Sequence, residues 1–319
     1  MFVAVHDSEM DHFKTGTEKF PNYALMKISA FHKKQGDTVE WFLPINASLY
    51  DKVYSSKVFE WTPENPYLPQ DTIKGGTGYG IYQDLPDGID ECFPDYSLYP
   101  ECDYAIGFIT RGCINKCPWC GVPRKEGLIH PYRHWTEVVR RDTKKLVLMD
   151  NNILAHPWGI DNLREISNTD YKIDINQAMD ARLVTPEIAD ILAKIKWIKF
   201  LRFSCDQKNQ IAAVKRAVGL LSERGVKPSK IFIYCLITKD IDDVLNRVYA
   251  MRELGAVTLY GMPERNPSLG IMPDKWQLRM ANRWIYSGKY RTVNWSEWAK
   301  FQGVKYPRKQ VTTWQDKES

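Results

Sequence analysis

The sequence predicts an α/β protein built on a partial (β/α)6 barrel, with a small α/β unit ahead of it and an aromatic-rich extension behind. Three observations carry this reading. From residue 103 onward, short apolar runs of strand length alternate six times with helical stretches. Cys113, Cys117 and Cys120 crowd into eight residues directly after the first of those runs. The first sixty residues show the same alternation on a smaller scale, before proline and glycine interrupt it.

The bulk numbers bound the rest. A chain of 319 residues fits one large domain, or a medium domain with a smaller one. An apolar fraction of 44% and 11 tryptophans supply a sizeable core. The 44 basic and 39 acidic residues leave a net charge of +5 that reads as spread along the chain, which neither demands nor excludes nucleic acid. No run of about 18 apolar residues occurs, so no membrane is expected as a partner. The opening turns acidic at once and lacks the basic-then-apolar order of a signal peptide. Seven cysteines, an odd number with three clustered, point to metal or redox chemistry rather than a disulfide framework, and a cytoplasmic location is expected.

Taken in order, residues 1–100 form the first segment. Strands are predicted at 2–5, 38–43 and 52–59, with a helix marked by Tyr23, Met26, Ala30 and Phe31 that ends near Gly36. Residues 61–100 read as a linker, broken by proline and glycine but pinned down by Trp61, Tyr79, Tyr82, Phe93, Tyr96 and Tyr99. Residues 101–270 hold the barrel, with strands predicted at 104–109, 146–149, 171–175, 198–203, 231–237 and 257–260. Thr185 and Pro186 open one helix as cap and first-turn proline. Ile211, Val214, Val218 and Leu221 stripe the next, which stops at Gly225; Ile241, Val244, Val248 and Met251 stripe another, which stops at Gly255. Six units are too few for a closed eight-stranded barrel, and a flat doubly wound sheet is the structural alternative.

Residues 271–319 form the extension. Trp276, Trp284, Tyr286, Tyr290, Trp295, Trp298 and Phe301 lie there among basic residues. Such interleaving can stack unpaired bases. Arg279, Met280, Arg283 and Trp284 at helical spacing favour instead a packed helix that closes the open side of the barrel.

The decisive segment is Thr110-Arg-Gly-Cys-Ile-Asn-Lys-Cys-Pro-Trp-Cys120-Gly, spaced C-x3-C-x2-C. Three thiolates on one tight loop can ligate three irons of a cubane, whereas simple electron carriers usually take four. The fourth iron then keeps an open position for chemistry. In a parallel β/α barrel this loop falls on the carboxyl rim, where active sites form. Zinc held by the three thiolates with Cys92, Cys102 or His130 is one competing reading. A dithiol redox pair at Cys117 and Cys120 is another, and it leaves Cys113 superfluous. Glu126, Lys125 and Arg124 read as a solvent-facing charged run, Cys205 and Cys235 as small core residues, and His130, His134 and His156 as surface or supporting groups.

The segment, including Trp119 before the last cysteine, resembles the signature of the radical S-adenosylmethionine superfamily, and the similarity runs through the six units of residues 103–270. The resemblance implies a TIM-like partial barrel, a [4Fe–4S] cluster on Cys113, Cys117 and Cys120, and S-adenosylmethionine bound at the open iron. One-electron reduction then cleaves a C–S bond to give a 5′-deoxyadenosyl radical that abstracts hydrogen from a substrate. It also implies a flavodoxin- or ferredoxin-like electron donor as partner.

Where most members carry Gly-Gly-Glu after the second strand, this chain reads Asp150-Asn151-Asn152, whose carboxylate and amides could hold the methionine ammonium. An ordinary helix cap is the plain alternative there. After the third strand, Asn176, Gln177 and Arg182 are candidates to face the cofactor ribose or the substrate. After the fourth, Arg202 and Ser204 are candidates for the cofactor carboxylate or sugar, unless Arg202 is simply ion-paired to Asp206. The loop from Tyr260 to Asn266 is similar to one that lies along the adenine.

The front segment resembles a shortened Rossmann-like, cobalamin-binding-like fold, as in one branch of the superfamily. The D-x-H-x-x-G motif is missing around His6 and His12, and sixty residues are short for enclosing a corrinoid, so cobalamin ranks behind the other two cofactors. The glycines at 75–80 do not match a dinucleotide motif. Two further function classes stay open: a non-catalytic zinc or iron–sulfur protein, and a nucleic-acid modifying or binding module. Substrate and reaction outcome are not legible.

Overall fold

The computed structural model describes residues 1–12 and 20–307; residues 13–19 and the last part of the expected extension, 308–319, lie outside the described residues. The chain opens with β1 (Phe2–Asp7) and α1 (Ser8–His12), then α2 (Tyr23–Lys34), β2 (Thr38–Trp41), β3 (Lys52–Ser56), β4 (Ile73–Gly75) and α3 (Asp87–Asp90). The four strands form a parallel sheet in the order β2-β1-β3-β4. Val3, Ala4 and Val5 are fully buried because β1 is a central strand covered on both faces. Helix α2 starts where the Asn22 side chain accepts the Leu25 N–H, and the chain leaves it through Gly36 at φ +84°. The α/β unit does not stop at residue 60: β4 lies inside the expected linker, a strand too short to show as a pattern.

The aromatic residues of that linker do pin it down. The Tyr99 hydroxyl donates to Asp7 at 2.9 Å and accepts from the Asn22 N–H at 3.0 Å. Burial pushes the Asp7 carboxyl up to about 6 from its ordinary 3.8, with Tyr99 opposing. The folded chain therefore holds this proton more tightly than the unfolded chain. The contribution favours folding below pH about 4 and is lost as pH rises through about 6, by up to ~3 kcal/mol. Urea denaturation at several pH values should show this slope in the parent, and Asp7→Asn should reduce it, leaving the share of the other buried carboxyls such as Asp150.

The second unit contains β5 (Ala105–Gly107), β6 (Thr110–Arg111), α4 (Val122–Lys125), β7 (His130–Pro131), α5 (Trp135–Val138), β8 (Lys145–Leu148), α6 (Pro157–Ser167), β9 (Lys172–Ile175) and α7 (Pro186–Lys194). It continues through β10 (Lys196–Trp197), β11 (Leu201–Ser204), α8 (Ile211–Glu223), β12 (Ile231–Ile237), α9 (Ile241–Arg252) and β13 (Thr258–Pro263). All six expected strands form, and with the short extra strand β10 they pair in parallel as β10-β9-β8-β5 and β11-β12-β13. One parallel bridge, Met179 to Phe203, joins the two groups. Thr185 caps α7, and Gly225 and Gly255 follow α8 and α9 with positive φ, as the sequence requires.

Alternation along the strands sorts the two faces. Leu146, Leu148, Ile173, Ile175, Leu201, Phe203, Ile231 and Ile233 bury themselves with the helix stripes in one core. Asp174, Arg202, Phe232, Tyr234 and Tyr260 take the opposite face. The first crossover departs from expectation: it has no long helix, only α4, α5 and the antiparallel β6–β7 pair. That shortage leaves room for the cysteine loop.

The extension holds α10 (Lys275–Arg279), a π-helical continuation over Met280–Ile285, and α11 (Trp295–Phe301). It packs on the helix side of β13, the edge strand of its sheet. A Cβ on Gly261 would meet Ile285 Cδ1 at 2.9 Å and Ala281 Cα at 3.2 Å. Trp284, Tyr290 and Trp295 are buried in the same core as α9, while Tyr286 and Phe301 stay exposed. Among the described residues no helix is long and apolar enough to cross a membrane.

The front unit is locked to the second one by a buried lysine. Lys27 is 1% exposed; its ammonium donates to the Asp90 carboxylate at 2.8 Å and to the Tyr132 hydroxyl at 2.7 Å, and it lies over the Tyr23 and Tyr132 rings. Arg133 also faces Asp90, and the Tyr96 hydroxyl accepts the Ile106 N–H at 2.9 Å.

Candidate functional site

Strands β6 and β7 pair Thr110 with Pro131 and Arg111 with His130, closing a loop that contains all three clustered cysteines. Gly112 leaves β6 at φ +80°, and a Cβ there would fall 2.4 Å from the Leu128 carbonyl oxygen. No other residue type fits. The Cys113 N–H donates to the Gly127 carbonyl at 3.2 Å, and the Cys120 N–H to the Cys117 carbonyl at 3.0 Å, which folds the loop into a tight turn. All three thiols are free, with Cys120 exposed and the other two half-buried. Burial raises the Cys117 and Cys120 thiols, the neighbouring cysteines and Asp206 add to the effect, and Arg182 opposes it at Cys117.

Two carboxylates hold the loop from below. Asp150, 1% exposed, accepts the Thr110 N–H at 2.5 Å, the Thr110 hydroxyl at 2.7 Å and the Ile109 N–H at 3.1 Å. Burial still drives its carboxyl up to about 6 against these donors. Glu126 accepts from Arg111 at 2.7 Å, from the Gly112 N–H at 2.9 Å and from the Asn151 amide at 2.7 Å. The expected solvent-facing run is thus corrected: only Arg124 is exposed, over the Tyr82 ring, and Lys125 donates to the Tyr82 and Gln83 carbonyls.

A second bracket comes from the next loop. The Asp180 carboxylate binds Arg182 at 2.6 Å, and Arg182 donates to the Asn115 side chain at 2.8 Å, whose amide returns to Asp180 at 3.3 Å. The Asn152 amide nitrogen lies 3.9 Å from Cys113 Sγ, and its oxygen accepts the Asp180 N–H at 3.4 Å. The structure therefore gathers Cys113, Cys117, Cys120, Asn151, Asn152 and Arg182 at one mouth. The cap reading of this stretch does not hold, since Asn152 makes no side-chain cap bond to the short turn that follows.

The remaining candidates lie in or just beyond β9 and β11. Arg202 does not pair with Asp206; it forms an ion pair with Asp174 and lies 5.6 Å from the Phe232 ring centre. Burial lowers its guanidinium pKa. Ser204 donates to Asp206, which also accepts the Leu236 N–H at 3.0 Å. Asn176 is half-buried and its carbonyl accepts the Tyr234 hydroxyl at 3.3 Å, while the Gln177 side chain is exposed. Arg265, in the loop after β13, lies over Trp61 of the front unit. Cys205 and Cys235 are fully buried core residues, the latter receiving Arg247 at 2.9 Å. His134 and His156 cap α5 and α6.

Sequence reading missed Asn115, Glu126, Asp180 and Asp206. Each acts through tertiary contacts whose partners lie 14 to 67 residues away, or through charge across the mouth, and no local spacing announces that. Among the described residues no three His, Cys, Asp or Glu side chains converge on one ion position. A cubane needs no such convergence, because each thiolate takes a different iron. Cys92, Cys102 and His130 are engaged elsewhere, with the carbonyls of Gly88, Tyr104 and Leu128.

No family model matches the chain, and no curated protein matches it in sequence. Among solved structures it is similar to the apo, selenomethionine-labelled cobalamin-dependent S-adenosylmethionine radical enzyme OxsB. That likeness has a TM-score of 0.53 and 12% identity, over 91% of this chain and 56% of that one. The chain thus spans little more than half the length of that enzyme. At this identity the likeness is one of fold: a mixed α/β chain with parallel sheets, of a kind that a radical S-adenosylmethionine enzyme uses.

Proposed function

We propose that this chain is a radical S-adenosylmethionine enzyme, with its six parallel strands forming an open barrel over residues 101–270. The observation that carries the reading is the cysteine loop: three free thiols on one turn, raised over the carboxyl ends of parallel strands and braced by Asp150, Glu126 and the Asn115–Asp180–Arg182 bracket. The donor set fits a [4Fe–4S] cluster, since three free thiols share one tight turn and Arg182 opposes the burial that raises the Cys117 thiol. Cys113, Cys117 and Cys120 would hold it. With S-adenosylmethionine, the cluster supplies reductive cleavage of a sulfonium C–S bond, which starts hydrogen abstraction.

The chain's own groups have separable tasks. Asn151, Asn152, Asn176 and Gln177 offer amides, and Ser204 a hydroxyl, at the strand ends where the cofactor would lie. Arg182 offers a fixed positive charge beside the loop and orients Asn115. Asp150 enters as a positioning residue, because its carboxylate is already filled by three donors from the loop. Arg202 and Asp174 form the charged floor of the strand face below. A flavodoxin- or ferredoxin-like protein would deliver the electron.

Cobalamin does not fit the front unit. The carboxyl ends of β1, β3 and β4 are sealed by the chain itself. The Tyr79 hydroxyl bonds Ser55 at 2.8 Å, buried Lys57 lies 5.2 Å from the Tyr79 ring centre, and a Cβ on Gly78 would meet Lys57 Cγ at 2.5 Å. The expected outcome with added hydroxocobalamin is therefore no retained corrinoid absorbance after gel filtration.

The reading is tested anaerobically: reconstitute with iron and sulfide, reduce, add S-adenosylmethionine, and measure 5′-deoxyadenosine. Its appearance with iron bound supports the proposal. Selective uptake of zinc with no iron–sulfur absorbance would overturn it in favour of a structural metal site.

A further inference from the structure

The C-terminal extension carries a cavity of about 670 Å³ lined by Arg279, Arg283, Ser287, Lys289, Trp298 and Gln302. None of these is acidic, and among the described residues Arg279, Arg283 and Lys289 have no carboxylate partner. Elsewhere Arg164 binds Asp161 and Glu187, Arg224 binds Asp190, and Lys215 binds Glu253.

The positive charge is concentrated in the extension rather than spread along the sequence. Residues 271–319 hold 10 basic and 4 acidic residues, whereas residues 1–270 hold 34 and 35. The extension thus carries the whole positive surplus. Exposed Lys275, Lys300 and Lys305 continue it beyond the cavity. Trp298, half-buried, stacks on fully buried Trp295 at 5.4 Å and 28°, so an indole held rigid by the core borders the three unpaired cations.

We propose that this face binds single-stranded nucleic acid, with one base stacked on Trp298 and backbone phosphates on Arg279, Arg283 and Lys289. Cations supply sequence-independent affinity for phosphates, and a fixed aromatic ring selects bases that are not already stacked in a duplex. The surplus outside the cavity favours a strand over a free nucleotide, which would need only the pocket. The proposal does not depend on the radical chemistry, because the extension lies on the helix side of β13, behind the sheet face that carries Arg202.

The test is fluorescence anisotropy of the full-length protein with a labelled oligouridylate of about 12 nucleotides. Binding at about 50 mM salt should weaken with a log–log slope near −2 for three phosphate contacts. The double variant Arg279→Ala/Arg283→Ala, both at exposed positions, should lose roughly tenfold or more in affinity and about 1.4 of that slope. Trp298→Ala should lose roughly fivefold or more in affinity with the slope unchanged. Should Trp298→Ala fail to fold by circular dichroism, the arginine variant alone decides. No binding at low salt, binding unchanged in the arginine variant, equal affinity for a duplex, or displacement by ATP as effective as by unlabelled oligomer would each overturn the proposal.

Discussion

Alanine at Cys113, Cys117 or Cys120 should remove the iron–sulfur absorbance and bring 5′-deoxyadenosine to background. The loss should exceed the ~100-fold typical of removing an outer-shell partner, because a direct ligand goes. The loop is expected to survive the change. Its backbone is held by Cys113 to Gly127, by Glu126 to Gly112 and by Asp150 to Thr110, none of which uses a thiol. Circular dichroism should therefore match the parent while iron content falls. Alanine at Cys92 or Cys102 should leave both readouts unchanged, since each thiol bonds only a nearby carbonyl. If either of those variants lost metal alongside the loop variants, a four-ligand site would replace the three-ligand one proposed here.

The second large effect is expected at Asp150. Asp150→Ala leaves the Ile109 and Thr110 amides and the Thr110 hydroxyl buried without an acceptor. At about 1–3 kcal/mol for each stranded group, with some relief from relaxation, a loss of about 3 kcal/mol or more is expected in urea denaturation. Asp150→Asn keeps one acceptor oxygen and should lose less. The strand end is also the root of the cysteine loop, so iron loading should fall roughly 10- to 100-fold in the alanine variant. Full stability with normal loading in Asp150→Ala would refute the bracing role.

Much of this architecture could be read from residue order because its signals are local. The stripes of Ile211 to Leu221 and Ile241 to Met251, the cap at Thr185 and the stops at Gly225 and Gly255 each act within a few residues, and the helices form there. β4 escaped notice because three residues of strand cannot show a period. The cysteine spacing was legible for the same local reason. Its supports were not. Glu126 looks like any surface glutamate until β7 returns beside β6, and Asp180 meets Asn115 only after the chain has passed through two more strands. Asp206 is the nearer carboxylate to Arg202 in sequence, but strand alternation puts its partner on β9, at Asp174.

Lys27 bears on how such a chain can be inherited. A boundary near residue 100 invites the idea that the front unit could be exchanged or dropped as a cassette. Its ammonium, however, is dry and finds its counter-charge at Asp90 and its hydroxyl partner at Tyr132, more than a hundred residues on. A graft at that boundary would part Lys27 and Asp90 from Tyr132, which bonds both, and should cost stability. The two segments are therefore expected to be inherited together rather than exchanged at that boundary.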